Sequence, residues 1–395
     1  FSHPSYILYT SGTTGAPKAI VHSTGGVILQ HFKEHKLHND LRFNDRIMWY
    51  TNIAWMMYHW VVSSLGCNAT LVLYDGVPIT KKNNNFDGSL LWKVADKEKL
   101  THLGISPKYI STLEDINENP INKYNINSLR WLLAAGSPVA PSQFDWIYKN
   151  IKKDIGFASI SGGSEVLACF MLGSPLHPVR RGELTVKGLG MSVEIYNSKN
   201  ESVIGEPGDL VCTEPFPSMP ITFWGKDGDA RYKKTYFEER KEVWTHGDLA
   251  ELKPHGSGVI YGRTDNTLNP GGVRIGTAEI YNICELFTEI EDCLVFGNQI
   301  NNDEEIILCI KLSHNNKLDN KLSKIIRSKI RENASPRHVP QKIYEVTDIP
   351  YTMNGKRVEG AAKWMLAGKE IPNLSSISNP ECLKQYAGLN NKKAL

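Results

Sequence analysis

One stretch of this chain has the residue types to hold phosphate: YTSGTTGAPK at positions 9–18. Gly12 and Gly15 permit tight backbone turns, and Thr10, Ser11, Thr13 and Thr14 supply hydroxyls. Together with their amides these offer many donors to phosphate oxygens, with Lys18 as a nearby cation. The spacing Gly-x-x-Gly-x-x-Lys cannot be aligned with GxxxxGK(S/T), so this is not a Walker A loop. A flexible Ser/Thr/Gly linker is the bland reading. Linkers rarely sit flush between a strand and a Pro-Lys pair.

Other reactive groups form weaker patterns. Among twelve histidines, His31 and His35 stand four apart on one expected helix, without a third ligand or an HExxH pattern. His22 lies just beyond the loop and is expected to face it in a packing role. The large side chains Trp49, Trp55, Met56, Met57 and Trp60 read first as core. Seven cysteines make no CxxC pair, so neither a zinc ribbon nor a disulfide framework is indicated, and a reducing compartment, the cytosol, is expected. No Ser-His-Asp order occurs.

The elements that must position these groups read as follows. Residues 6–9, 47–51, 70–74, 102–105, 129–134 and 156–159 read as strands; 26–36, 55–65, 89–99, 107–118 and 141–151 read as helices. Pro107 and Pro141 open the last two in the favoured first turn. This alternation predicts a layered α/β sheet. Residues 47–74 contain no Asp, Glu, Lys or Arg and are long enough to span a bilayer. Asn52, His59, Ser63, Ser64 and Asn68, with a break at Gly66, divide them instead into strand, helix and strand. No membrane span is expected. Residues 81–88 read as an exposed loop.

After Pro178 the character changes. Short runs at 183–187, 192–196, 209–212 and 221–224 predict an antiparallel or barrel-like portion. From near Arg263 a small α+β domain is expected: helix 277–287, strands 293–296 and 306–312, helix 318–331, strand 341–346, a turn at Asn354 and Gly355, and helix 358–366. Leu322, Ile325, Ile326 and Ile330 fall on one face of the 318–331 helix. Beyond Gly368 the chain is polar and expected to be loose. It opens at Phe1 with no Met or leader, which reads as a piece of a longer protein.

The 9–18 loop resembles the signature of the AMP-forming acyl-CoA synthetases, the superfamily that also holds luciferases and peptide-synthetase adenylation domains. Further motifs recur in that family's order, from residue 6 to about 365. AGSP at 135–138 resembles the adenine-wall segment, which assigns Gly136, Ser137 and Pro138 to the nucleotide. SGGSE at 161–165 resembles the segment whose hydroxyl, here Ser164, meets the α-phosphate and whose carboxylate, here Glu165, meets Mg²⁺. THGD at 245–248 resembles the ribose-binding TGD element, with His246 as an extra residue. YGRTD at 261–265 and NPGGVRIGTAE at 269–279 resemble the hinge and the opening of the C-terminal domain, with Arg263, Gly272 and Arg274 toward the nucleotide and Asp265 as the hinge. PYTMNGK at 350–356 resembles the terminal lysine motif.

The resemblance implies ATP, Mg²⁺ and coenzyme A as cofactor and co-substrates. It implies an α/β fold: a large domain of layered α/β sheets with a small β-barrel-like portion over 1–264, incomplete here, then a mobile α+β domain over 265–368 and a polar tail over 369–395. The residue types suit these roles. Asp248 can accept from both ribose hydroxyls at once. Arg263 and Arg274 carry planar forks for phosphate and ribose. Glu165 is a hard oxygen ligand of the kind Mg²⁺ takes in small number. Lys356, after an Asn-Gly turn, can neutralise charge as a carboxylate attacks phosphorus.

Trp55 falls where the relatives line the acyl and pantetheine tunnel. Arg331 lies where they contact the 3′-phosphate of coenzyme A. Members that activate acetate or propionate carry tryptophan at the position of Gly162; the Gly162-Gly163 pair leaves room for a longer acid. Segments 49–51, 74–78, 160–163, 265–272 and 350–356 look most like the members that activate acetoacetate. The implied reaction forms acetoacetyl-AMP and pyrophosphate, then acetoacetyl-CoA and AMP. Two other readings fit the same residues: a synthetase for a different short- or medium-chain acid, and an inert nucleotide-binding fragment.

The 395 residues carry a net charge of +3 with no long basic run, too weak a basic bias to imply a nucleic-acid partner, and none is expected. With 41% hydrophobic and 22% charged residues, collagen-like and disordered readings fail. The expected partners are small molecules, and oligomeric state is unreadable from sequence.

Overall fold

A computed structural model describes the chain except residues 11–17, 83–84, 269, 271–274, 301–302, 315, 354, 372–373, 390–391 and 393, with backbone alone for 82, 85, 168, 265 and 303. The chain divides into two compact units. The first holds Lys18–His246 with Phe1–Thr10 and Glu251–Val259, and the second Ile260–Leu395 with Gly247–Ala250.

The first unit is built on a parallel five-stranded sheet in the order Thr70–Leu71, Arg46–Trp49, His102–Ile105, Trp131–Ala134, Gly156–Ser159. Side chains alternate between two apolar layers, as the two-residue period of a strand requires. Met48, Leu103, Ile105, Leu132, Ala134 and Phe157 meet Trp92, Ile110, Leu113, Phe144 and Ile147 of the helices Leu90–Glu98, Pro107–Asp115 and Pro141–Asn150. Ile47, Trp49, Trp131, Leu133 and Ala158 meet Val27, Met56, Met57 and Trp60 of the helices Thr24–Lys33 and Met56–Val62. Coverage on both faces is why these strands read as unbroken apolar runs. Each fully buried large side chain, Trp60 and Trp92 among them, contributes about 1.5–3 kcal/mol of transfer free energy.

Antiparallel strands flank this layer. Pro4–Tyr9, Ala19–Ser23 and Thr222–Phe223 form one sheet; Ser161–Gly163, Ala168–Leu172 and Val186–Lys187 form another. A four-stranded sheet runs Val193–Tyr196, Gly208–Cys212, Trp244–Leu252, Gly258–Arg263. Among the described residues no barrel closes. These strands are short and interrupted by Gly and Pro turns, so the portion expected to be barrel-like stays as open sheets. The 81–88 segment is no simple loop either, because Thr80–Lys82 pairs with Asn85–Asp87 as a small hairpin. Its strands are too short and polar to register as a period-two pattern.

In the second unit Ile290–Ile300 pairs antiparallel with Asp303–Leu312, which pairs parallel with Lys342–Glu345. Helices Thr277–Cys284 and Asn320–Asn333 cover one face with Ile280, Ile283, Ile326 and Ile330. Glu359–Leu366 and Lys384–Ala387 cover the other with Ala362, Leu366 and Tyr386. The end of the chain is therefore not loose. Leu383, Tyr386 and Leu389 are buried, and these few apolar residues among many polar ones are enough to dock it.

Candidate functional site

In the first unit the candidate residues gather at the carboxyl end of the parallel sheet. Gly136 and the exposed Ser137 and Pro138 follow the strand Trp131–Ala134, and Gly162 to Glu165 follow Gly156–Ser159. Trp55 lies beyond Arg46–Trp49 and packs close to Gly136: a methyl built on Gly136 would stand 3.9 Å from the Trp55 ring. Open α/β sheets bind ligands at this edge, where strands end and loops are free to vary. The mouth of the phosphate-type loop is pinned on the neighbouring sheet. Thr10 N–H donates to the Lys18 carbonyl at 3.1 Å, and Lys18 N–H donates to Thr10 Oγ1 at 3.1 Å. Ser11, Gly12, Thr13, Thr14 and Gly15 lie outside the described residues, as do Gly272 and Arg274.

Glu165 sits at the tip of a tight hairpin. Ser161–Gly163 returns as Ala168–Leu172, and the Gly163 carbonyl accepts from Val166 N–H at 3.2 Å and Leu167 N–H at 2.9 Å. Leu167 adopts φ +46, a conformation that costs a branched residue free energy and persists only where its surroundings impose it. Those surroundings include three side chains on three carbonyls of the turn, at residues 164, 166 and 167. His22 Nε2 donates to Ser164 O at 2.8 Å, Ser218 Oγ to Val166 O, and His31 Nε2 to Leu167 O at 2.6 Å. Burial pushes His22 and His31 down to about 4, so both are neutral Nε2–H donors. His22 stands within the strand Ala19–Ser23, and its ring meets this turn where the sequence led us to expect the 9–18 loop.

The returning strand is anchored in the same way. Buried Glu34 accepts from Cys169 N–H at 3.1 Å, Trp60 Nε1 at 2.7 Å and Gln30 Nε2 at 2.9 Å. Burial raises its pKa. Gly163 is tied to the carboxylate by space: a methyl there would come within 2.5 Å of Glu165 Oε2. The glycine leaves a cradle that the carboxylate fills. Among the described residues no group of three His, Cys, Asp or Glu side chains could hold a metal by itself.

In the second unit Asp248 lies inside a strand, buried, where it accepts from Arg263 Nη1 at 3.1 Å. Gly247 makes this approach possible, since it adopts φ +85 and the Arg263 guanidinium lies 3.0 Å from where its side chain would begin. Asp265 falls in the single turn Thr264–Asn266. Arg331 is exposed in the last turn of Asn320–Asn333. Lys356 is exposed on a tight turn in which Thr352 N–H donates to the Lys356 carbonyl at 2.8 Å.

Sequence reasoning missed Ser218, and it weighed His31 only as half of a metal pair. Nothing local signals their role, because each acts on a carbonyl far away in sequence.

The fold and this carboxyl-edge site define the class: the chain belongs to the family of AMP-binding enzymes, whose match covers residues 2–219. It is 46% identical over 394 residues to the acetoacetyl-coenzyme A synthetase of Rhizobium meliloti (strain 1021), covering 100% of this chain and 60% of the relative. The acetoacetyl-CoA synthetase of Gallus gallus is 44% identical over 392 residues, covering 98% and 58%. The solved acetoacetyl-CoA synthetase from Streptomyces lividans superposes with a TM-score of 0.91 at 38% identity, covering 99% of this chain and 60% of that one. The chain thus spans about 60% of the length of these relatives.

Proposed function

We propose that the protein carrying this chain joins acetoacetate to coenzyme A at the expense of ATP, through an acetoacetyl-adenylate. The observation that carries the reading is the Glu165 turn: one carboxylate, seated against Gly163 and braced by three buried donors, at the carboxyl edge of a parallel sheet. The names of the relatives above supply the acid. In the first step the acetoacetate carboxylate attacks the α-phosphorus of ATP and pyrophosphate leaves. In the second the thiol of coenzyme A attacks the acyl carbon and AMP leaves.

The residues divide these tasks. Thr10 and Lys18 flank the phosphate loop, where Ser11, Gly12, Thr13, Thr14 and Gly15 would add donors. Gly136, Ser137 and Pro138 would wall the adenine, and Ser164 would hold the α-phosphate. Asp248 would accept from the ribose hydroxyls, with Arg263 orienting it and Gly272 and Arg274 adding contacts. Lys356 would neutralise charge in the first step, Asp265 would serve as the hinge, and Arg331 would meet coenzyme A. Trp55, Gly162 and Gly163 would bound the acyl pocket.

Mg²⁺ fits this set of groups. It keeps water and phosphate and takes few protein ligands, so the single carboxylate of Glu165 matches its habit. When bound, the ion supplies positive charge to the phosphate oxygens. No helix among the described residues is long and apolar enough to cross a membrane. All seven cysteines are free and buried, which supports a reducing compartment such as the cytosol.

The test is a panel of carboxylic acids with the whole protein, scored by pyrophosphate release. Acetoacetate should lead the panel. Preference for another short- or medium-chain acid would reassign the substrate, and release with none would leave an inert nucleotide-binding chain.

A further inference from the structure

Lys356 has a half-buried neighbour that the reaction does not use. Arg357 Nη2 donates to Asp292 Oδ1 at 2.8 Å, and its guanidinium carbon stands 4.3 Å from the centre of the Tyr281 ring. Tyr351, which bridges to Arg357 across the turn, donates its hydroxyl to the other oxygen of Asp292. Burial alone would weaken the guanidinium's charge, yet Asp292 and its neighbours hold Arg357 well above its ordinary value. The guanidinium therefore keeps its charge.

From Tyr281 the contacts continue in one direction. Its hydroxyl donates to Glu359 Oε1 at 2.8 Å and accepts from Val295 N–H at 3.1 Å. Glu359 Oε2 accepts from Asn266 Nδ2 at 3.1 Å. Asn266 is the residue after Asp265. Tyr281 and Glu359 are both buried, at 7% and 8% exposure. A path of hydrogen bonds and one cation–π contact therefore joins the turn at Thr264–Asn266 to the turn that presents Lys356. Stability alone does not require it, because well-packed apolar side chains of similar volume often serve as well as a buried ion pair.

We propose that Glu359, Tyr281 and Arg357 are positioning residues that couple the Asp265–Asn266 segment to Lys356, so that rotation at that segment and placement of the lysine are one event. The proposal rests on the roles given above to Asp265 and Lys356. A displaced cation about 1 Å from its productive position loses on the order of a hundredfold in rate, so a path of this kind would act on the adenylating step alone.

The experiment uses the whole protein with Asn266→Ala, Glu359→Gln, Arg357→Ala and Arg357→Lys, and the double variant Asn266→Ala/Arg357→Ala. Amide exchange is followed by mass spectrometry over residues 351–358, with Asn320–Asn333 as the internal control. Asn266→Ala should speed exchange in 351–358 by about tenfold or more and leave the control helix unchanged. ATP–pyrophosphate exchange should fall about ten- to a hundredfold in each alanine variant, with Arg357→Lys recovering part of the loss. Conversion of supplied acyl-adenylate to thioester should stay within about threefold of wild type. The double variant should be no worse than its worse parent. Unchanged protection of 351–358 in Asn266→Ala, or losses that simply multiply in the double variant, would overturn the coupling. If wild type prefers another acid, the kinetic arms run with that acid and only the substrate assignment falls. If no acid supports exchange, the site reading falls and the amide-exchange arm still decides the coupling.

Discussion

His22 Nε2 lies 2.8 Å from the carbonyl oxygen of Ser164, so a histidine leaving the phosphate-type loop holds the turn that carries Glu165. Burial keeps the ring neutral, with its Nε2–H as donor, and His31 does the same at Leu167. His35, also buried, is pushed down to about 3. In the unfolded chain these rings titrate near 6.5, so between about pH 6.5 and 4 the unfolded state binds more protons than the folded one. Stability from these rings is full above pH 6.5 and is lost as pH falls through that window. Thermal melts from pH 7 to 4 should show the decline, and His31→Gln should flatten it. A melting profile equally steep in His31→Gln would remove His31 as a cause.

Gly163→Ala should separate folding from chemistry. The added methyl meets the far end of the Glu165 side chain at 2.5 Å, and a flexible end can move. The melting temperature should change little, while the carboxylate is pushed out of its cradle. Pyrophosphate release should drop about tenfold or more, with a raised requirement for Mg²⁺. Wild-type magnesium dependence in this variant would mean that the seat of Glu165 is irrelevant.

Gly162→Trp tests the acyl pocket. Gly162 lies in the short strand Ser161–Gly163, opposite Cys169 in the returning strand, and is only half-buried. A bulky ring there should depress activity on acetoacetate far more than on acetate, because packed surroundings do not absorb added volume. The ratio of kcat/KM for the two acids is the measurement, and equal losses would withdraw Gly162 from the pocket.

Lys356→Ala should abolish ATP–pyrophosphate exchange, since a preorganised cation at developing charge is worth on the order of a hundred- to a thousandfold. Supplied acetoacetyl-AMP should still pass to coenzyme A at near wild-type rate. Acetylation of Lys356 removes the same charge and should have the same effect. Equal loss of both half-reactions in a folded variant would show that the lysine is not specific to one step.

Much of the fold was legible because it is local. Strands His102–Ile105 and Gly156–Ser159 were read residue for residue, since burial on both faces leaves an unbroken apolar run between turn signals. The helix Gly228–Phe237 went unread because its buried side is aromatic: Tyr232 and Tyr236 pack on Phe223 and Trp244, with Tyr236 stacked 3.8 Å from Trp244. The hairpin 161–172 hid because two glycines replace a strand pattern. Candidate site residues such as Glu165, Asp248 and Lys356 stood out because glycines, hydroxyls and charges sit beside them in covalent order. What braces them did not. Ser218, His22 and His31 reach their carbonyls across 52, 142 and 136 positions, and Asn266 meets Glu359 across 93. A hydrogen bond between distant residues leaves no periodicity in either segment, so only the folded chain could pair them.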